Sequence, residues 1–469
     1  MQESQFDRPN PHLSRSLFSI SWPIFIDLTM HFATLMINMA MVGMVSVQSV
    51  AELTVGNQVF DLGLILFNFI NIGVCVSCAQ ALGNGNRSMS RRIIHMALGL
   101  NIVWGTIISL SVFFASDLIV SMMQVPQEIA SSSRNYLMII SLSFLPEALC
   151  LCCAQILRAH ACTRDSMYMA VVINIITIIG NAVFLFGLCG APVLGVEGVA
   201  ISTVIGRSLV VLPFIYLIIK RTKVRIIPRF MFVIKKKILY HILNIGLPGA
   251  GENLSWHSQY MFMTAVIASL GSLPLATHGI YFQMCMLLMI FSASIGMGTE
   301  ILVAHYAGAM KLDLAYKQLM HSVKLGMITT AVLAATIPLF SGKLIIGLFT
   351  DSKEVLAMAT PLFMLSVFME PGRILNVIII NSLRAVGDTK FPVVMAVLSM
   401  WCISVPLGSF LALHMGLGLL GVWIGFCTDE WIRGISMFIR WKSKAWVKSA
   451  KRNYRVNFKR KTPVKRASV

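Results

Sequence analysis

The sequence predicts an all-α polytopic membrane protein with twelve transmembrane helices in two pseudo-symmetric six-helix lobes. Three observations carry this. Hydrophobic residues make up 57% of the 469 residues and charged residues only 12%, with mean hydropathy +0.79; a soluble domain has roughly 25% charged residues. Twelve apolar stretches reach the roughly 20 residues needed to cross a bilayer core about 30 Å thick. The chain also repeats itself. Pro23 and Asp27 of SWPIFID return 225 residues later as Pro248 and Glu252 of GLPGAGE. Ala51 and Ala276, Gln58 and Gln283, Gly73 and Gly298, and Gly83 and Gly308 keep the 225 offset, and Leu157-Arg158 with Leu383-Arg384, Thr163 with Thr389, and Gly195-Val196 with Gly421-Val422 pair at 226. In a hydrophobic chain, an in-register copy of this length is typical of a transporter working at the interface between its repeats.

The first six spans are expected at 16–41, 54–82, 93–115, 135–157, 167–189 and 195–219. The second six fall at 241–269, 275–307, 319–341, 355–383, 391–413 and 418–440. This divides the chain into an N-terminal segment 1–15, a lobe 16–219, a basic linker 220–240, a second lobe 241–440 and a basic tail 441–469. The linker sequence KRTKVRIIPRFMFVIKKK, 220–237, has the composition of an amphipathic piece on the bilayer surface. Pro23, Pro146, Pro248, Pro361, Pro371 and Pro406 fall inside predicted helices, where the missing N–H bends the helix. Matching bends in spans one and seven would frame a cavity, although prolines also kink membrane helices without function. Small and polar residues in the spans (Asn68, Asn71, Asn174, Asn181, Ser366, Asn376, Asn381) suit helix packing.

Of the 38 Lys and Arg, 32 fall in the termini and the even-numbered loops, including Arg158, Arg164, Arg384 and Lys390; Arg134, Lys343 and Lys353 fall on the other side, and Arg207, Arg373 and Arg433 within spans. The positive-inside rule puts both termini and the linker in the cytoplasm. The net charge of +19 raises nucleic-acid binding, but the basic tail follows a span directly. A polybasic segment at the membrane surface is therefore the better reading, with no nucleic-acid partner. The first apolar segment is too long for a cleavable signal peptide. The cysteines sit in or beside apolar segments, and Cys75-x-x-Cys78 has no second pair, so neither a disulfide nor a metal is assigned.

A charge at the bilayer centre costs at least about 2.5–3.5 kcal/mol, which makes an intramembrane carboxylate a functional hypothesis by default. Asp27 and Glu252 lead, because the repeat places a carboxylate one turn after the kink proline in both halves. Facing a low-dielectric cavity, they could bind H⁺, Na⁺ or a substrate near neutral pH. The alternative is a structural carboxylate held by broken-helix backbone or an arginine. Glu147 and Arg373 are repeat partners, and Glu370 lies one turn from Arg373 in MEPGR; the Glu370–Arg373 spacing suits an ion pair, either static or part of a gate. Glu300, Asp429, Glu430 and Arg433 are weaker candidates, and Glu52 and Asp61 lie near membrane boundaries. His31, one turn beyond Asp27, is a packed polar residue or a proton relay. Thirty methionines and the aromatics Phe32, Trp256, Tyr260, Tyr281 and Phe282 would suit an adaptable cavity for flat apolar cations, although lipid-facing packing explains most of them.

No Walker loop, HExxH, GxSxG or dinucleotide fingerprint is present, and GNGNR at 83–87 joins two spans as a turn. The chain does not read as an enzyme, and transport would draw on an ion gradient. At this point the pattern resembles the multidrug and toxic compound extrusion (MATE) transporters, over residues 14–440. The paired proline helices carry the likeness, with GVCVSCAQALGNGN (73–86) and its counterpart GTEILVAHYAGAM (298–310). LRAHACTRD (157–165), LRAVGDTKFP (383–392) and GVEGVAIST (195–203) add to it, and the segment 370–392 looks like a bacterial branch.

The resemblance implies a V-shaped pair of lobes, alternating access and export of organic cations or drugs in exchange for H⁺ or Na⁺, without another cofactor. It implies a monomer in a bacterial plasma membrane whose partners are the bilayer and a small cationic substrate. Many members carry an acidic residue where Asn38 aligns in span one, and another where Arg373 aligns in span ten. Asn38 therefore joins Asp27 and Glu252 as an expected coupling site, with the two carboxylates standing in for the missing ones. A lipid-linked saccharide flippase and a narrow metabolite exporter are alternatives within the two-lobe plan. A non-transporting scaffold or receptor is the alternative of another class.

Overall fold

The computed structural model describes residues 15–347 and 352–457. Residues 1–14 of the expected cytoplasmic N-terminus and 458–469 of the basic tail lie outside the described residues. The first half contains α1 (Leu17–Gly43), α2 (Val47–Gly83), α3 (Arg87–Phe114), α4 (Ser116–Met122), α5 (Gln127–Ser141), α6 (Phe144–Ala159), α7 (Thr163–Phe186) and α8 (Gly195–Thr222). A short α9 (Pro228–Met231) lies in the linker. The second half contains α10 (Lys236–Ser269), α11 (Ser272–Gly308), α12 (Leu312–Gly347), α13 (Lys353–Ala385), α14 (Lys390–Ser399), α15 (Val405–Leu413) and α16 (Gly418–Lys442), followed by α17 (Trp446–Asn457).

Each expected span falls on one of these helices or on a consecutive pair. Among the described residues nine helical stretches are long and apolar enough to cross a membrane, and ten when α5 and α6, bent by 45°, count as one. The two that fall short are α10 and α16, which carry polar and charged groups such as Glu252, Asp429, Glu430 and Arg433. Side chains supply the starts of the first helices: Ser16, Ser46 and Asn86 accept hydrogen bonds from the backbone N–H groups of Ser19, Ser49 and Met89 at 3.2, 3.0 and 3.0 Å. The expected GNGNR turn is present, with Gly85 at φ +67°, a conformation that costs glycine little.

Pro23, Pro248, Pro361 and Pro371 lie inside helices as expected, and Pro213 does too. Two prolines differ. Pro146 sits in the first turn of α6, after the break that follows Ser141, and Pro406 opens α15 after a π turn at Met400–Ser404. The first turn of α6 tolerates Pro146 because its N–H groups have no intrahelical partner; Pro406 stays inside one helical stretch, Lys390–Leu413, where the π turn just before it takes up the disturbance.

The halves cross-pack in a way that mirrors the repeat: α1 rests on α11, α10 rests on α2, and α2 crosses α11. At the crossing the carbonyl of His305 occupies the space where a side chain on Gly83 would begin, and the carbonyl of Gln80 does the same at Gly308. Gln80 Nε2 donates to the Ala385 carbonyl at 2.7 Å, and His305 Nε2 donates to the Ala159 carbonyl at 2.9 Å. Gln80 and His305 are repeat partners, as are Ala159 and Ala385, so one contact appears twice about the pseudo-symmetry axis.

Part of the tail departs from its surface reading. Trp446 is buried and stacks on Trp441 with ring centroids 4.2 Å apart, which docks α17 onto the bundle. Asn453 Nδ2 donates to Gln80 Oε1 at 3.2 Å, Tyr454 to Asn84 Oδ1 at 3.4 Å and Asn457 Nδ2 to His241 Nδ1 at 3.1 Å. The helix thus ties α2 of one half to α10 of the other. The linker keeps its amphipathic character, exposing Phe230, Phe232, Val233 and Ile234 among basic residues.

Because backbone blocks the space at the crossing, Gly83→Val is expected to lower stability by at least the ~1–3 kcal/mol of a typical overpacked site. A thermal-unfolding midpoint equal to wild type in detergent would mean that the helices can separate there without cost.

Candidate functional site

Each half encloses a cavity of its own. The first, partly open, lies among α1, α2, α5, α7 and α8 and is lined by His31, Thr34, Asn38, Asn57, Asp61, Tyr136, Asn174, Thr177, Thr203 and Arg207, among others. Its character is polar. Asn181 Nδ2 donates to Asn38 Oδ1 at 2.7 Å. Arg207 lies 4.9 Å from the Phe60 ring centroid, and its Nε meets Glu147 Oε2 at 2.5 Å.

The second cavity, also partly open, lies among α10, α11, α13 and α16. Trp256, Tyr260, Phe282, Trp423 and Phe426 form its aromatic walls, with Met286 and Met289, and Arg373, Asp429 and Glu430 supply its charged lining. Tyr260 and Phe282 have ring centroids 4.4 Å apart, and Trp423 and Phe426 5.3 Å. A chain of charges runs behind these rings. Arg373 Nη1 meets Glu370 Oε1 at 2.5 Å, and its Nε lies 3.5 Å from Glu430 Oε1. Arg433 Nη2 meets Asp429 Oδ2 at 2.7 Å and Glu430 Oε2 at 3.3 Å, and Asn376 donates to the same Glu430 oxygen at 2.9 Å.

The expected Glu370–Arg373 pair is therefore formed, but Glu147 does not join it: Glu147 belongs to the first half and pairs with Arg207. The repeat explains the difference. Offset by 226, Glu147 and Arg207 correspond to Arg373 and Arg433. An ion pair in one half becomes two guanidiniums in the other, and two guanidiniums that close require the bridging carboxylate Glu430.

Asp27 and Glu252 line neither cavity. Asp27 Oδ2 meets Arg158 Nη2 at 2.5 Å. Glu252 is 8% exposed, and its Oε2 has no hydrogen-bond partner. Its repeat-equivalent arginine, Arg384, instead donates from Nη2 to Asn381 Oδ1 at 2.5 Å. The sequence placed Arg158 and Arg384 in loops, but both are buried in the last turns of α6 and α13. Their recurrence within Leu-Arg at offset 226 was the signal that they belong to the interior. Of the other expected residues, His31 and Asn38 come together at the first cavity. The aromatics Trp256, Tyr260 and Phe282 meet at the second, and Tyr281 packs behind it, donating to the Leu362 carbonyl at 2.9 Å.

Two cross-packed helical halves with a cavity in each define a repeat-built membrane transporter. A family model described as MatE matches residues 23–183 and 248–410, one match in each half, and the chain belongs to that family. It is 38% identical over 433 residues to the uncharacterized transporter YisQ of Bacillus subtilis, covering 92% of this chain and 95% of that one. It is 24% identical over 444 residues to the probable multidrug resistance protein NorM of Thermotoga maritima, covering 94% of each. Among solved structures, an outward-facing multidrug resistance MATE transporter aligns with TM-score 0.84 at 19% identity, over 93% of this chain and 96% of that one. A Pyrococcus furiosus transporter, described as having a binding pocket of reversed polarity that suggests a different function, aligns with TM-score 0.84 at 20% identity over the same shares.

Removing one partner from a buried ion pair costs about 3–5 kcal/mol, because the other charge is left unpaired. Arg158→Leu is accordingly expected to destabilise the protein more than the double variant Asp27→Asn/Arg158→Leu does. Thermal midpoints of the single and double variants measure this, and strict additivity would mean that the two side chains do not interact.

Proposed function

We propose that this protein is a secondary antiporter that exports an amphipathic organic cation in exchange for H⁺ or Na⁺ by alternating access. The observation that carries the reading is the second cavity, whose aromatic walls stand beside Asp429 and Glu430. Aromatic faces attract cations, by about 2 kcal/mol or more once the cation is desolvated, and flexible methionines adapt to varied shapes. Charge balance supports the same reading. The interior of the first half pairs Asp27 with Arg158 and Glu147 with Arg207, and leaves one carboxylate, Asp61, at its cavity. The spans of the second half bury five carboxylates (Glu252, Glu300, Glu370, Asp429 and Glu430) with three arginines, Arg373, Arg384 and Arg433, apart from Asp388 in the turn after α13, which pairs with Arg440. The surplus favours bound cations there.

In this reading a cation enters between the lobes from the side that bears the termini and rests against Trp256, Tyr260 and Phe282. The coupling ion enters from the other side at Glu252. Its arrival lowers the negative charge of the second half and weakens the hold on the substrate. The Asp27–Arg158 pair is the corresponding element of the first half, and its exchange or protonation would let α1 move. The polar first cavity, with Asn38 and His31, holds water or a polar part of the substrate. Glu147–Arg207 and Glu370–Arg373 brace the two lobes, and α17 closes the end that bears the termini.

We place the protein as a monomer in a bacterial plasma membrane with both termini cytoplasmic, from its basic loops. The names of relatives such as the Thermotoga NorM agree with drug export. A lipid-linked saccharide flippase calls for a strongly basic cavity to hold pyrophosphate. Five interior arginines, four of them buried, outnumbered by seven interior carboxylates do not provide one.

The test is efflux of ethidium from cells expressing wild type, Glu252→Gln, Asp27→Asn and Glu430→Gln, with pH and Na⁺ gradients imposed separately. Wild-type efflux should follow one gradient, and Glu430→Gln should slow it about tenfold, the equivalent of ~1.4 kcal/mol. Glu252→Gln and Asp27→Asn should abolish the dependence on the gradient. No wild-type efflux under either gradient would refute export of such cations.

A further inference from the structure

Among the described acidic residues of the spans' interior, Asp27, Glu147, Glu370, Asp429 and Glu430 each meet an arginine within 3.5 Å. Asp61, exposed at the first cavity, and the buried Glu252 and Glu300 have no such partner. Glu300 is the less expected of the two buried ones. It lies on α11, 8% exposed, and its Oε1 is buried without a hydrogen bond. At the equivalent place in the first half the repeat holds Cys75, also buried. The carboxylate is thus an addition peculiar to the second half, with no part in the symmetric framework.

We propose that Glu300 is a coupling-cation site that takes up one H⁺ or Na⁺ at the seam between the halves. This rests on the antiport reading and extends it to a residue outside both cavities. An unpaired carboxylate buried among helices is costly, and a single bound cation removes the cost. The charged groups near this place are few: the Arg384 guanidinium of α13 is the one whose charge reaches Glu300, and Cys75 of α2 is within reach of the charges of both Glu300 and Arg158 of α6. Arg384 also acts on Glu252 of α10. One guanidinium therefore serves two carboxylates, and its Nη2 is hydrogen-bonded to Asn381.

Position makes the site suited to coupling. Two residues before Glu300, Gly298 packs against Ser21 of α1, and five residues after it His305 donates to the Ala159 carbonyl. Glu300 lies between two contacts that join α11 to the other half. When Glu300 holds a cation, Arg384 stays on Asn381 and the seam keeps the arrangement described above. When the cation leaves, the free carboxylate draws Arg384 away from Asn381, and α13 shifts against α11.

The site can be tested without any transported substrate, on the full chain in liposomes. Infrared difference spectra between mildly acid and mildly alkaline Na⁺-free buffer report buried carboxyl protonation, and scintillation proximity with radioactive sodium reports Na⁺ binding. We expect Glu300→Gln to lose one protonated-carboxyl band, or to lose Na⁺ binding, according to which ion is used. Glu300→Cys, the residue the first half holds at this place, should behave alike and guards against a folding defect of the Gln variant. A variant that folds and keeps both the band and the Na⁺ binding of wild type overturns the proposal, as does a wild type with neither signal. Ethidium efflux by the same proteins separates the two readings. Signals that depend on Glu300 in a protein that exports nothing sink only the substrate reading. Gradient-driven efflux unchanged by Glu300→Gln sinks only this site.

Discussion

A carboxylate buried among membrane-spanning helices must find a cation, and this requirement organises the interior of the protein. In the first half it is met locally, by Asp27 with Arg158 and Glu147 with Arg207. In the second half Arg373 and Arg433 are themselves tied together by Glu370, Asp429 and Glu430, while Glu252 and Glu300 remain without arginine partners. Buried pairs of this kind add little net stability, since desolvation offsets much of the attraction. Their effect is to fix which charges are neutralised and which are left over. The leftover charge is negative: Asp61 at the first cavity, and the two buried carboxylates Glu252 and Glu300 in the half whose cavity is walled with aromatic rings.

The lobes that hold these charges depend on a symmetric backbone. Gly83 and Gly308 let α2 and α11 meet carbonyl against helix, and Gln80 and His305 fasten the crossing with equivalent hydrogen bonds. A close, reciprocal contact of this kind is well suited to having two discrete arrangements, as alternating access requires. Function arises where the chemistry departs from that symmetry. Glu147 becomes Arg373, Cys75 becomes Glu300, and His31 becomes Trp256, each at the repeat offset. The two cavities consequently differ, polar in one half and aromatic in the other.

Much of this was legible in the sequence. The repeat, the spans, the Glu370–Arg373 pair and the aromatic set at Trp256, Tyr260 and Phe282 could all be read because they rest on periodicity and local spacing. The partners of Asp27 and Glu147 could not. Arg158 lies 131 residues from Asp27 in the chain, and Arg207 lies 60 from Glu147, and only the folded bundle brings them together. Arg158 and Arg384 were hidden for another reason: hydropathy ends a span at its last apolar residue, whereas a long arginine side chain can run back along its own helix. The same limit applies to α17, whose basic composition masks the docking of Trp446 and Ala450 against the bundle.

On the proposed function, the transported cation binds in the second half. Binding of tetraphenylphosphonium to the purified protein, followed by calorimetry, tests it most directly. Affinity should fall in Glu430→Gln and Tyr260→Ala and stay near wild type in Asn38→Ala, a change confined to the first cavity. Loss of binding in Asn38→Ala with Glu430→Gln and Tyr260→Ala unaffected would place the cation in the first half and contradict the account.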